Sequence, residues 1–188
     1  MMLKRYLILV SSVLLSSCAV AVLAGAAGSY IVYDDRSMRA LEKDARIFHV
    51  VHKAIVREPQ LTSSHVNVTT FKQAILLTGE TPYASARAVV EKIAQQAPNV
   101  RRIYNEMTIQ YPSSIWQRTQ DTGITSNVRT HMLTKKGLES GAIRIVTENA
   151  AVYLMGDVSH AQAELAVNVA RQVPGVQKVV KVFQYIDN

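Results

Sequence analysis

Residues 143–156 read IRIVTENAAVYLMG, and residues 66–79 read VNVTTFKQAILLTG. Both stretches begin with alternating apolar and polar residues, pass through a short polar turn, and end with an apolar run closed by glycine. Such alternation is typical of a half-buried β-strand, and a polar turn between two such runs favours a hairpin. We therefore predict two antiparallel strand pairs, with turns at 70–72 and 148–149.

The similarity between these stretches extends well beyond the strands. Aligning Ile47 with Ile124 gives a gap-free match across most of a domain. Spacing, residue size and the glycine and proline positions are preserved together, which chance similarity of amphipathic segments rarely achieves. The sequence thus predicts two copies of one small domain, at 44–111 and 119–188, joined by a linker at 112–118.

Helical patterns flank the strand pair in each copy. Apolar residues recur at helical spacing before the strands, at Ile47, Val51, Ile55, Ile124, Val128 and Met132. Alanine-rich segments at 85–97 and 162–173 follow the glycine and end at a proline, which indicates a second helix. A last strand closes each copy, at 100–109 and 176–186.

The resulting order is helix, strand, strand, helix, strand. It predicts an α+β fold with two helices on a three-stranded mixed sheet in each domain. A right-handed crossover would place the last strand parallel to its neighbour. We expect each copy to bury a core on one sheet face only. About seventy residues is near the lower limit of autonomous stability, so packing of the two copies against each other would stabilise both.

The N-terminus carries the features of an export signal. Two basic residues and an apolar run at 6–15 precede the only cysteine of the chain. Residues Leu15 to Cys18 read LSSC, which resembles the lipobox of bacterial lipoproteins. That resemblance implies a cleaved leader at 1–17, an acylated Cys18, and a lipidated tether at 18–43.

An uncleaved membrane anchor is the alternative at this end of the chain. Residues 7–32 contain no charged side chain and are long enough to cross a bilayer. The residues after Cys18 are small and interrupted by glycine, which favours the lipoprotein. Ala19 lacks the acidic character that retains enteric lipoproteins at the inner membrane, so the resemblance implies the outer membrane. Under both alternatives the rest of the chain is tethered in the periplasm.

Composition and motifs narrow the classes of function that fit this chain. The formal charge of +7 falls to about +5 without the two leader cations, a mild excess that attracts anionic surfaces. Aromatic residues are scattered, so nucleic acid is not an expected partner. The chain has no glycine-rich phosphate loop, nucleophile elbow or Cys/His pair, and we expect neither catalysis nor a cofactor. His49 and His52 lie at i,i+3, yet no carboxylate or thiol spacing completes a metal site, so none is expected.

The second copy resembles a BON domain (bacterial OsmY and nodulation). It has the first-helix Ile-Thr-x-x-Val pattern at 124–128, the strand end Leu-x-Gly at 154–156, and Pro-Gly-Val at 174–176. The first copy is more diverged, since Asn99 replaces the glycine. A lipobox followed by two such copies resembles the dual-BON lipoproteins of this family. The resemblance implies an outer-membrane lipoprotein on the periplasmic face that binds anionic phospholipid, supports envelope integrity and concentrates at division sites.

The resemblance to these lipoproteins implies that the first helix of the second copy, residues 124–133 here, contacts lipid. By position the predicted phospholipid-binding residues are Arg118, Ile124, Asn127, Val128, Arg129, His131, Leu133, Lys135 and Lys136. The apolar members should face the sheet, and the polar and cationic ones should face outward. Similar sequences can carry a tryptophan before the Ile-Thr pair, where this chain has Gly123. The sole tryptophan, Trp116, lies in the predicted linker, where it would contact the membrane or pack between the domains.

Other interpretations remain open at this stage. The domains could form a periplasmic adaptor whose exposed sheet face binds an envelope-assembly or cell-wall-remodelling protein. They could also belong to a larger oligomer. The pair Lys135-Lys136 also fits a solvated turn, and Arg101-Arg102 at the start of a strand fits a device that guards a sheet edge.

Overall fold

The computed structural model describes residues 36–186. The first domain consists of α1 (Met38–Arg57), β1 (His65–Phe71), β2 (Ala74–Thr81), α2 (Ala84–Gln95), β3 (Arg102–Asn105) and β4 (Thr108–Ile109). The second consists of α3 (Ile115–Thr134), β5 (Ile143–Glu148), β6 (Ala151–Val158), α4 (His160–Arg171) and β7 (Lys178–Tyr185). The predicted α+β fold and element order are confirmed. The predicted leader 1–17, Cys18 and most of the tether lie outside the described residues.

Each domain has the predicted mixed sheet. The hairpin strands are antiparallel, with Val66 opposite Gly79 and Ile143 opposite Gly156. The last strand runs parallel to the second hairpin strand in both domains, as the crossover rule requires. In the first domain it is divided into β3 and β4, and both pieces pair with β2. Arg102 lies exposed at the beginning of β3, which is an edge strand of the sheet. This position is compatible with guarding the sheet edge.

The first helix of each domain is longer than predicted. Ser37 and Ser114 act as N-caps, because their hydroxyls accept hydrogen bonds from backbone N–H groups three residues later. Both helices are therefore 20 residues long. The segment predicted as linker 112–118 is shorter in the structure, since Ile115 already begins α3. No helix within residues 36–186 is both long and apolar enough to cross a membrane.

A buried aspartate in each first helix holds the hairpin turn of its own domain. The turns place Lys72, Gln73, Asn149 and Ala150 at positive φ. Asp44 accepts both N–H groups of the first turn at 2.7 Å, and Asp121 accepts those of the second at 2.8 and 2.9 Å. These charge-assisted bonds offset the cost of left-handed backbone at non-glycine residues. Arg36 pairs with Asp44 as well.

Each domain has its own core between helices and sheet. The first contains Ile47, Val51, Ile55, Val68, Leu77 and Val90 among others. The second contains Ile124, Val128, Met132, Ile145, Leu154 and Val167 among others. The apolar helix positions predicted from their spacing therefore pack on the sheet as expected.

The other face of each sheet is also buried, contrary to the expectation of one-sided domains. A third core, which we call the inter-sheet core, joins the two domains through Phe71, Ala74, Leu76, Val146, Tyr153, Met155 and Val182. All eight residues of β2 are buried. A continuously apolar strand is typical of burial on two faces, and this strand begins with AILL. The layers therefore follow the order helices, sheet, sheet, helices.

Glycines at three positions test how closely the backbone approaches itself within each domain. A Cβ at Gly156 would lie 2.4 Å from the Ala142 carbonyl oxygen, and one at Gly79 would lie 2.1 Å from that of His65. A Cβ at Gly123, on α3, would meet nothing within 4 Å.

We predict that Gly156→Ala lowers the free energy of unfolding by about 1–3 kcal/mol, because the backbone at Ala142, just before β5, must move. Gly123→Ala should raise it by about 0.5–1 kcal/mol through reduced backbone entropy in the unfolded chain. Urea unfolding of the two variants measures both effects. Equal stability of Gly156→Ala and the parent chain would contradict the close strand approach.

Candidate functional site on the first helix of the second domain

Two of the predicted lipid-binding residues lie on the buried side of α3. Ile124 and Val128 are buried in the second domain's core, together with Met132. Their predicted orientation toward the sheet is therefore confirmed. Their inclusion among lipid contacts is wrong, because side chains that fill a core are not accessible to a bilayer.

Arg129 was expected to face outward, and this is also wrong. Its Nη1 donates to the Ser140 carbonyl oxygen and its Nη2 to that of Ile143, both at 2.8 Å. The guanidinium thus satisfies two backbone acceptors where the chain enters β5. Periodicity places a residue on one side of a helix, but it does not show which carbonyls a long side chain can reach.

Arg118 likewise faces the rest of the protein. Its Nη2 donates to the Ser113 carbonyl oxygen at 2.8 Å, and the side chain is half-buried. It lines a cleft between the two domains together with His65, Asp121 and Glu148. The cationic side chains nearest the beginning and middle of α3 are therefore engaged within the fold.

The remaining predicted residues are exposed. They are Asn127, His131, Leu133, Lys135 and Lys136. Trp116 lies in the first turn of α3 with 70% of its surface exposed, so the predicted packing between domains is wrong. Gly123 follows Trp116 by seven residues and precedes Asn127 by four. These spacings place the three residues on one side of the helix, which we call the outer face.

Several exposed apolar residues lie close together in the chain just before and at the start of this helix. Ile109, Tyr111 and Ile115 are exposed by 56%, 83% and 82%, and all three precede Trp116 by at most seven residues. Sequence reasoning overlooked this segment because it was interpreted as a linker. Exposed apolar side chains gathered within one short stretch of chain favour a surface that contacts another phase or partner.

The exposed hydroxyls of α3 are satisfied within the helix. Each donates to the carbonyl oxygen of the preceding turn at 3.0–3.2 Å, at Thr119, Thr122, Ser126, Thr130 and Thr134. Removing water from a hydroxyl costs less free energy when that hydroxyl already donates to a protein acceptor. The surface of α3 is therefore less costly to dehydrate than its composition suggests.

A second polar cluster lies where the two domains meet. Glu148 Oε1 lies 3.7 Å from His65 Nε2, and Glu148 Oε2 accepts from the Thr78 hydroxyl at 3.4 Å. Glu80 accepts a short hydrogen bond from Asn149 Nδ2. Glu80 is fully buried, and Glu148 is 6% exposed. One ligand atom from each of His65, Glu80 and Glu148 lies within 4.8 Å of the others.

Burial shifts the pKa of both Glu148 and His65. Burial, and next the nearby Glu80 carboxylate, raise the pKa of Glu148 to about 7. Burial and the Arg118 guanidinium lower the pKa of His65, so its imidazole is neutral at pH 7. The sequence offered no spacing signal for this group, because its members are brought together only by the packing of the two sheets.

The duplicated fold, with its Leu-x-Gly strand ends and paired helices, agrees with comparison to known families. The chain belongs to the BON-domain family, since the BON domain model matches residues 43–111 and 120–187. This confirms the family resemblance stated from the sequence.

Individual relatives cover most of the chain. It is similar to the outer membrane lipoprotein DolP of Haemophilus influenzae, with 28% identity over 98% of this chain and 96% of that one. It is 32% identical to the 21 kDa hemolysin of Actinobacillus pleuropneumoniae over 81% of this chain and 79% of the relative. Among solved structures, the C-terminal domain of CdsD from Chlamydia trachomatis matches with a TM-score of 0.31 and 10% identity, over 76% of this chain and 96% of that one. A TM-score this low bears on neither fold nor function.

Proposed function

We propose that this protein is a lipid-anchored outer-membrane lipoprotein that faces the periplasm and binds anionic phospholipid through α3 of its second BON domain. It would thereby support envelope integrity, including at division sites. The observation that carries the proposal is the exposure of Trp116, together with Tyr111 and Ile115 just before it in the chain, at the start of a helix whose exposed hydroxyls are internally satisfied. The outer membrane lipoprotein DolP, similar over nearly the whole chain, supports the location.

The anchor rests on the LSSC sequence at residues 15–18. Two or more acyl chains on Cys18 hold a protein stably at a bilayer, because each buried methylene contributes about 0.8 kcal/mol. The stretch from Cys18 to Arg36 spans at most about 60 Å when fully extended. The folded domains would therefore remain within reach of the same membrane.

Apolar and cationic groups lie at opposite ends of α3. The helix is about 30 Å long, with Trp116 near its beginning and Lys135 and Lys136 just after its end. Tryptophan and tyrosine favour the bilayer interface, and each lysine near an anionic surface contributes about 1 kcal/mol. A helix lying along the bilayer could use both ends at once.

The adaptor interpretation assigned binding to an exposed sheet face. In residues 36–186 the two sheet faces away from the helices form the inter-sheet core, so that surface is not exposed. Their burial leaves the helices as the broad outward surfaces of the described domains.

The anchor is tested by mass spectrometry of the protein isolated from its native membrane. We predict an N-terminal Cys18 that carries a diacylglycerol and an additional acyl chain, with the leader absent. A polypeptide that still begins at Met1 with a free thiol would contradict the lipoprotein assignment.

Lipid binding is tested with residues 34–188, whose folding is first checked by circular dichroism. Because Trp116 is the only tryptophan, its fluorescence reports on the start of α3 alone. We predict a blue shift with phosphatidylglycerol vesicles and little change with phosphatidylcholine vesicles. No shift with either lipid would contradict the proposal.

Matched variants, compared by vesicle co-sedimentation, separate binding through this surface from nonspecific adsorption to the vesicles. Lys135→Gln/Lys136→Gln should weaken binding roughly 30-fold, from about 1 kcal/mol per lysine. Arg101→Gln/Arg102→Gln removes the same charge from the first domain and should have little effect. Trp116→Ala should weaken binding more than Tyr83→Ala, and Gly123→Trp should strengthen it, since a side chain there meets open space.

A further inference from the structure

We propose that His65, Glu80 and Glu148 form a binding site for a divalent transition-metal ion that links the two BON domains. The three residues come from β1, β2 and β5, so two ligands belong to the first domain and one to the second. The site lies beside the inter-sheet core and is separate from the outer face of α3. The proposal therefore stands independently of lipid binding.

The distances between the ligand atoms are close to those of a tetrahedral site. They lie within 4.8 Å of one another, and the His65 Nε2 to Glu148 Oε1 distance is 3.7 Å. With zinc–ligand bonds of about 2.0–2.2 Å, ligand atoms are roughly 3.4 Å apart. Side-chain adjustments of about 1 Å are enough to close the site around an ion.

The buried charge also favours a cation. Two carboxylates placed together away from water repel each other, and an ion between them converts that repulsion into coordination. Each carboxylate is oriented by a neighbour, because Asn149 donates to Glu80 and Thr78 donates to Glu148. Such outer contacts are typical of metal ligands.

The other charged groups near the cluster have partners elsewhere. Asp121 accepts the turn N–H groups of Asn149 and Ala150, so its carboxylate is engaged. Arg118 and Arg144 both line the same cleft, and Arg118 donates through Nη2 to the Ser113 carbonyl oxygen. A metal ion at the cluster would be held by direct bonds to two carboxylates, against the repulsion of these two guanidinium groups.

Two buried atoms beside the cluster indicate a further ligand. Arg118 Nε and the Ser113 hydroxyl are buried and have no hydrogen-bond partner among the described residues. The Ser113 backbone N–H donates to Glu80 at 3.4 Å, which places this residue next to the site. Three protein ligands leave one zinc position for water, and a metal-bound water oxygen can accept hydrogen bonds from such donors.

The adjoining cleft gives an ion access to the site. It has a volume of about 500 Å³, and both His65 and Glu148 line it. A mixed nitrogen and oxygen ligand set suits zinc and neighbouring transition metals, whereas calcium and magnesium prefer six or more oxygen ligands including water. We therefore name zinc as the probe.

The test uses the purified full-length protein in detergent, stripped with a chelator and titrated with zinc by calorimetry. We predict binding of one zinc ion per chain and a rise in the unfolding temperature with zinc. Glu148→Gln should weaken binding by more than about 100-fold, beyond the 10–100-fold typical of changes to outer contacts. Because glutamine is isosteric and removes a like charge, this variant is expected to fold, which its unfolding temperature without metal verifies.

Two further variants complete the test. Thr78→Val, which removes only the hydroxyl that orients Glu148, should weaken binding about tenfold. His49→Ala/His52→Ala removes the exposed histidine pair of α1 and should leave tight binding unchanged. The proposal is overturned if the parent chain binds no zinc, or if the loss of binding follows the His49/His52 variant instead of Glu148→Gln.

Discussion

The packing of the two sheets against each other is the constraint on which the rest of this structure depends. Phe71, Leu76, Tyr153 and Met155 meet between the domains and are almost completely buried. Burial of a side chain of this size contributes about 1.5–3 kcal/mol relative to its exposure. Neither domain could leave this face in water at its small size without losing a large part of its stability.

This packing also determines where function can reside. Because the sheets cover each other, α1 and α2 lie on one side of the molecule and α3 and α4 on the other. The duplicated first helices then differ in their outer residues, and α3 combines Trp116 with internally satisfied hydroxyls. At the margin of the same interface, sheet packing brings Glu148 of one domain to His65 and Glu80 of the other. One contact surface thus accounts for both the exposed helix and the buried polar cluster.

The sequence was sufficient for features that depend on local patterns. Repeat spacing, alternation and the glycine and proline positions predicted the element order, the hairpins and the parallel last strand of both domains. Features set by tertiary contacts were not predictable in this way. The hydrogen bonds of Arg129 to two carbonyls, the burial of the second sheet face, and the assembly of His65 with Glu148 all require the fold. The helix starts and the turn-binding role of Asp44 and Asp121 could have been predicted from the sequence. Extending the repeat alignment upstream pairs Ser37 with Ser114 and Asp44 with Asp121.

Native-state hydrogen exchange of residues 34–188 carrying Leu76→Ala tests the central claim most directly. Leu76 belongs to the first domain, and its side chain contributes to the inter-sheet core. If the sheets stabilise each other, amide protection should fall in β6 and α4 of the second domain as well as in β2, by up to the 2–5 kcal/mol typical of a Leu→Ala cavity. Loss of protection confined to the first domain, with the second unchanged, would contradict the account.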